Sequence, residues 1–158
     1  MISPATLNDF DAIADLNVEA YREFAAHMSP DSWRGMETSL RAVVARAQST
    51  RFLVMREQRA IVGSVGYCQA GKGNPEIFPP HWAGLLLLAV SPTHRGRGIA
   101  RELVSTCIQY AQDDSAEVIG LFTSELMLPA QQLYESLGFH RESELPMRLG
   151  LRYWRYKL

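Results

Sequence analysis

The chain has 158 residues, 47% of them hydrophobic and 21% charged, with sixteen basic and seventeen acidic side chains that leave a formal charge of -1. Size and composition are those of one ordinary globular domain, able to bury about two-thirds of its unfolded surface, and they exclude disordered and fibrous chains. A nearly neutral chain has no global field toward nucleic acid or an anionic membrane, so any phosphate it binds is held locally.

The first residues, Met1 to Thr6, reach Asp9 and Asp11 without a basic stretch or an apolar core, which is not a secretion signal. From Phe10 the apolar positions Ile13, Leu16, Ala20, Tyr21 and Phe24 recur at helical spacing, with Thr6 and Asp9 as a capping pair upstream. Ser29-Pro30-Asp31 starts a second helix, carried by Met36, Leu40, Val43 and Val44 and expected to end near Gln48. Phe52 to Met55 and Ile61 to Tyr67 are β-prone runs around the polar Glu57-Gln58-Arg59, which predicts an antiparallel hairpin.

Gly71 to Pro80 reads as an irregular loop. Ala83 to Val90 is apolar throughout, far short of the roughly 20 residues of a membrane span, and suits a central strand covered on both faces. Ile99, Leu103, Cys107, Ile108 and Ala111 have helical spacing and Val118 to Thr123 reads as a strand, which together make a crossover unit with parallel strands. A short helix from Pro129 to Leu137 stops at Gly138, and two closing strands follow from Phe139 and from Leu149. Cys68 and Cys107 lie in apolar segments outside any CxxC pair and are expected to be reduced, buried thiols of a cytoplasmic protein. The whole chain, 1–158, is expected to form one domain.

The residues richest in chemistry are Val90 to Ala100, where a buried strand ends, Gly96 and Gly98 follow, and an amphipathic helix begins. The first turn of a helix offers N–H groups without intrahelical partners and the positive end of the macrodipole, which together suit an anion. Glycine at 96 and 98 lets main chain approach a pyrophosphate, and Arg95 and Arg97 add local charge. A Walker loop is excluded because Ile99 and Ala100, not Lys and Ser/Thr, follow Gly98. A dinucleotide fingerprint is excluded because the pattern is GxGxA and comes after several earlier elements.

Arg95-x-x-Gly98-x-Ala100 resembles the acyl-CoA motif Q/R-x-x-G-x-G/A of the GNAT superfamily of N-acyltransferases. Leu88-Ala89-Val90 and Pro92 match the strand end that precedes it in that family. Ala130 to Phe139 matches the later segment A-x-x-L-Y-x-x-x-G-F at every specified position. The resemblance implies an α/β fold with a central mixed, mostly antiparallel sheet of about seven strands flanked by about four helices.

It also implies acetyl-CoA as co-substrate, with no metal, and transfer of the acetyl group to a primary amine on a small molecule, amino acid or peptide. By resemblance, the main chain of Leu88, Ala89 and Val90 pairs with the pantetheine arm, and the N–H groups of Arg95, Gly96, Arg97, Gly98, Ile99 and Ala100 hold the pyrophosphate. Tyr134 stands where the family places the acid for the departing thiolate; its ordinary pKa of ~10 keeps a proton available. The candidate bases are Glu76, His81, Glu125 or a water. Met127 departs from the family's pattern, which has Asn there, and removes one contact to the pantetheine arm.

Acceptor choice in the family comes from the segments that are here Ala25 to Trp33 and Gly71 to Trp82, which supply His27, Met28, Trp33, Phe78, His81 and Trp82. Few carboxylates there make a poor wall for a polycation. Homodimers are frequent in the family, and Tyr153 to Tyr156 either pairs across an interface or finishes the sheet within one chain. The second functional reading is a GNAT fold that binds acyl-CoA without turnover, against which Gly96, Gly98 and Tyr134 stand intact.

Overall fold

The computed structural model describes residues 1–158. Its centre is a sheet of seven strands: β1 (Ile2–Pro4), β2 (Arg51–Glu57), β3 (Ala60–Cys68), β4 (Trp82–Val90), β5 (Val118–Ser124), β6 (His140–Arg148) and β7 (Leu151–Lys157). The spatial order is β1-β2-β3-β4-β5-β7-β6. Every neighbouring pair is antiparallel except β4 and β5, which run parallel because a helix carries the chain from one to the other. The mixed, mostly antiparallel sheet expected from the resemblance is therefore observed.

Five helices flank the sheet: α1 (Phe10–Tyr21), α2 (Pro30–Arg41), α3 (Val43–Arg46), α4 (Ile99–Asp113) and α5 (Leu128–Ser136). α1 follows a short 3-10 turn, Leu7–Asp9, where Asp9 accepts hydrogen bonds from the Thr6 N–H at 2.8 Å and the Thr6 hydroxyl at 3.2 Å. α2 starts as its sequence predicts, with the Ser29 hydroxyl oxygen accepting from the Ser32 N–H at 3.1 Å and Pro30 in the first turn.

Two expectations need correction. The second helix does not run to Gln48: Ala42 leaves the helical region at φ -79°, ψ 50°, and α3 is a separate single turn. The break rotates Val43 into the cluster of Ile13, Ala14, Phe52 and Val54, while Val44 stays exposed. The N-terminus, where no strand was expected, supplies β1, whose Ile2 pairs with Met55 of β2. Three residues are too short a run to show periodicity.

α1 and α2 cover one face of the sheet and α4 and α5 the other. α4 lies close to β3 because Gly63 has no Cβ, which would otherwise come within 2.7 Å of Ile99. Cys68 and Cys107 are free and buried. The aromatic β7 sits between β5 and β6 with both edges paired, so it finishes the sheet within the chain.

Candidate active site

The site follows from a failure of pairing. β4 and β5 pair only at Trp82–Gly84 with Val118–Gly120, and beyond Gly84 they diverge. On its other side β4 stays on β3, but between Leu86 and Ala89 it uses one more residue than its partner. Leu87 takes that slack at φ 55°, an uncommon conformation for a branched-chain residue, so the bulge of β4 lies beside the gap. The Tyr21 hydroxyl, from the last residue of α1, donates to the Leu88 carbonyl at 2.9 Å and fastens the bulge.

The gap opens into a cleft of about 590 Å³. Leu88, Ala89 and Val90 form one wall, Arg95, Gly96, Gly98, Ile99 and Ala100 its floor, and Tyr134 with Ala130 and Leu133 of α5 the facing wall. Two motifs about thirty residues apart are thus brought to one cavity.

The floor is a cradle of main-chain donors. Gly96 and Gly98 have φ of 77° and 80°, which L side chains rarely adopt, and a Cβ built on either meets nothing within 4 Å. Backbone N–H groups of Arg95, Gly96, Arg97 and Gly98 donate to no protein acceptor. The first bond of α4 is donated by the Glu102 N–H to the Gly98 carbonyl at 3.0 Å, so Ile99, Ala100 and Arg101 ahead of it have no intrahelical acceptor. Consecutive free donors at the positive end of a fifteen-residue helix fit a pyrophosphate.

The arginine side chains contribute less than their sequence position implies. Arg95 donates to Glu23 at 2.9 Å and to the Ala20 carbonyl at 2.9 Å, tying the loop to the end of α1. Arg97 turns to Glu57 at 3.3 Å and does not line the cleft. The donors left open on this floor are therefore N–H groups at the positive end of the helix dipole.

Tyr134 is buried, its ring edge-on to Phe139 at 6.0 Å and tilted against Tyr156 at 6.4 Å. Burial pushes its phenol well above the ordinary value, so the group stays protonated at any working pH. The hydroxyl has no hydrogen-bond partner in the protein, yet it is not among the atoms sealed from solvent.

A second cleft, of about 630 Å³, lies between α2, the 72–78 loop and the β6–β7 turn. It shares Tyr21, Leu86, Leu87, Phe122 and Met127 with the first, so the two cavities meet at the β4 bulge. Met127, the departure from the family's pattern, stands at that junction. Of the six residues expected to choose an acceptor, only Phe78 lines this cleft; Trp82 is buried, Met28 and Trp33 pack against the same core cluster, and His27 and His81 are exposed. None of the candidate bases lines either cleft: Glu76 and His81 are exposed, and Glu125 accepts the Arg152 N–H at 2.6 Å. Tyr21 and Phe122 were missed as site residues, because each reads in sequence as one more apolar position of a helix or strand.

A family model described as the acetyltransferase (GNAT) family matches residues 10–139. The chain belongs to this family. N-acetyltransferase 8B of Homo sapiens is 36% identical over 93 residues, covering 59% of this chain and 40% of that protein. N-acetyltransferase 8 of Rattus norvegicus is 43% identical over 96 residues, with the same coverage of 59% and 40%. The match thus spans less than half the length of these relatives. Among solved structures, the PaiA N-acetyltransferase of Thermoplasma acidophilum in complex with coenzyme A superposes with a TM-score of 0.76 at 13% identity, covering 98% of this chain and 96% of that one. At that identity the likeness concerns the GNAT fold alone.

Proposed function

We propose that this chain is an N-acetyltransferase that moves an acetyl group from acetyl-CoA to a primary amine of a small molecule, amino acid or peptide, directly and within a ternary complex. The observation that carries the reading is the junction of two clefts at the β4 bulge, one floored by free N–H donors and walled by Tyr134, the other open for an acceptor. A module that only binds acyl-CoA has no need of the second cleft.

Bound along β4, acetyl-CoA supplies an acyl carbon activated as a thioester. N–H groups from Arg95 to Ala100 hold the pyrophosphate, and the main chain of Leu88, Ala89 and Val90 pairs with the pantetheine arm. The amine nitrogen forms a bond to the acyl carbon while the carbon–sulfur bond breaks. The sulfur takes up one proton and the nitrogen gives one up, so the exchange balances without an oxidant or a metal.

Tyr134 is the donor to the departing sulfur. Its raised pKa keeps the phenol protonated, so its O–H remains available to hydrogen-bond the sulfur as charge develops there. With no carboxylate or imidazole at the junction, water takes the proton from nitrogen. The whole of 1–158 acts as one N-acetyltransferase domain, and its free thiols support a reducing, cytoplasmic setting.

Calorimetric titration with acetyl-CoA, beside the Gly96→Glu variant, tests this reading. A Cβ at 96 meets nothing within 4 Å, and glutamate there brings a carboxylate to the cradle at a φ of 77°. Micromolar binding by the parent and none by a folded variant is the expected result. A folded parent that does not bind acetyl-CoA overturns the acetyltransferase reading.

A further inference from the structure

The second cleft has a one-sided charge. Its wall contains Arg46 from α3, Lys72 from the loop before β4 and Arg148 from the end of β6, and it contains no Asp or Glu. The chain has seventeen acidic side chains, so the absence is local. Arginines elsewhere find them: Arg95 meets Glu23 at 2.9 Å, Arg97 meets Glu57 at 3.3 Å and Arg56 meets Asp9 at 2.6 Å. Arg46, Lys72 and Arg148 meet no carboxylate within 4.0 Å.

Arg46 is the most constrained of the three. One terminal nitrogen donates to the Ser39 hydroxyl at 2.9 Å, but its Nε is sealed from solvent and has no acceptor. Burial, and the positive charge of Arg148 beside it, push its pKa below the ordinary arginine value. Cations that line one cavity with no carboxylate among them are a poor arrangement for the protein alone and a good one for a bound anion. The Arg148 guanidinium lies 5.8 Å from the centre of the Phe122 ring, and Phe122 belongs to both clefts. Positive charge therefore sits one side chain away from the place where the clefts meet.

The rest of the wall is mainly apolar, with Met36, Leu40, Ile77, Phe78 and Leu149. We propose that the acceptor is a free α-amino acid with an apolar side chain, its carboxylate held by Arg46 and Arg148 with Lys72 at the rim. The amine then points to the bulge at Leu86 and Leu87, and the side chain packs on Ile77, Phe78 and Leu149. A peptide's terminal amine has no carboxylate beside it and leaves the cations unanswered. A polyamine is repelled by all three. The proposal rests on the acetyltransferase reading and names its acceptor class.

The test compares three acceptors that differ in one feature: phenylalanine, phenylalaninamide and phenethylamine. Acetyl-CoA binding is measured first by calorimetry, and its failure removes the acetyltransferase reading itself. With binding established, phenylalanine is expected to exceed the amide and the simple amine by about tenfold or more in kcat/KM, the value of one or two hydrogen bonds to a charged partner. The amide's amine is the less basic and so the more often neutral, which means this order runs against intrinsic reactivity.

Arg46→Gln and Arg148→Gln are each expected to raise the KM for phenylalanine about tenfold, leave the acetyl-CoA dissociation constant unchanged and narrow the gap between acid and amide. Arg148 is exposed, so its variant keeps the test valid even where Arg46→Gln does not fold. Titration of phenylalanine into the CoA-saturated protein reads the same contacts without turnover. Equal use of acid and amide, an acid-to-amide ratio unmoved by Arg148→Gln, or turnover of none of the standard amino acids by a protein that binds acetyl-CoA overturns the proposal.

Discussion

The cleft along β4 and the cleft under α2 are nearly equal in volume, about 590 and 630 Å³, and share a wall, yet they offer a ligand opposite kinds of contact. Along β4 the polar contacts are main chain: the N–H groups of the 95–101 loop and the strand backbone beyond the splay, with Arg95 and Arg97 spent on Glu23 and Glu57. Under α2 they are side chains, Arg46, Lys72 and Arg148, drawn from a helical turn, a loop and a strand end. Main-chain recognition is indifferent to everything but backbone geometry and so suits a ligand shared by a whole family. Side-chain recognition changes with one substitution and so suits the ligand that distinguishes members.

The largest effect is expected where the two clefts meet the chemistry. Tyr134→Phe is predicted to lower kcat by about a hundredfold or more, the range of a positioned acid, while leaving acetyl-CoA affinity unchanged, because the cradle does not use the phenol. Burial raises the phenol's pKa, so the acid form persists as pH rises and the parent shows no falling limb from this group up to about pH 10. Steady-state rates from pH 6 to 10 for parent and variant check both statements. A phenylalanine variant within threefold of the parent would assign the proton to water and leave Tyr134 a packing residue beside Phe139.

A smaller effect tests whether the bulge belongs to both clefts. Tyr21→Phe removes one hydrogen bond, from the hydroxyl to the Leu88 carbonyl at 2.9 Å, and keeps the ring that packs on Phe24. Loss of about 1 kcal/mol of anchoring at a strained Leu87 corresponds to roughly a fivefold fall in kcat/KM for acetyl-CoA and for the acceptor alike. Varying each substrate at saturation of the other separates the two. A fall for one substrate alone would mean that Tyr21 serves a single cleft and that the shared wall is passive.

This division between backbone and side chain also explains what was legible in the sequence. A loop that binds through main chain must use glycine where φ is positive, so Gly96 and Gly98 at fixed spacing from Arg95 mark the cradle in one short run of residues. Helix α4, strand β5 and the α5 segment show their periods because each buries one face on the sheet. The β4 bulge left no mark, since a leucine at φ 55° is a consequence of pairing with β3 and not of its own preference.

Arg46, Lys72 and Arg148 left none either: they are separated by long stretches of sequence and meet only when α3 breaks from α2 at Ala42 and the β6–β7 turn packs against α2. The same break is why the expected single helix to Gln48 was wrong. The proposed bases, Glu76, His81 and Glu125, are polar residues of loops and turns, and none of them lines either cleft.

The smallest effect is a control far from both clefts. Asp9 is buried, accepts from Thr6 at the start of α1 and pairs with Arg56 of β2 at 2.6 Å, so it joins the first helix to the sheet edge without touching either cavity. Asp9→Asn keeps a capping oxygen but loses the charge, and a loss of about 1 kcal/mol, or roughly 2–4 °C in Tm at this size, is expected at pH 7. Arg56 and the Thr6 N–H hold the carboxyl below its ordinary value of 3.8. A folded-state pKa lower than the unfolded one contributes stability above the unfolded value and forfeits it as pH falls through the folded one. The difference in Tm between parent and variant is therefore predicted to shrink steadily as the pH is taken from 5 to below 3, while kcat/KM for both substrates at pH 7 stays within twofold. A difference that persists at low pH would assign the effect to packing of the amide, and a change in either KM would show that α1 transmits strain to the bulge through Tyr21.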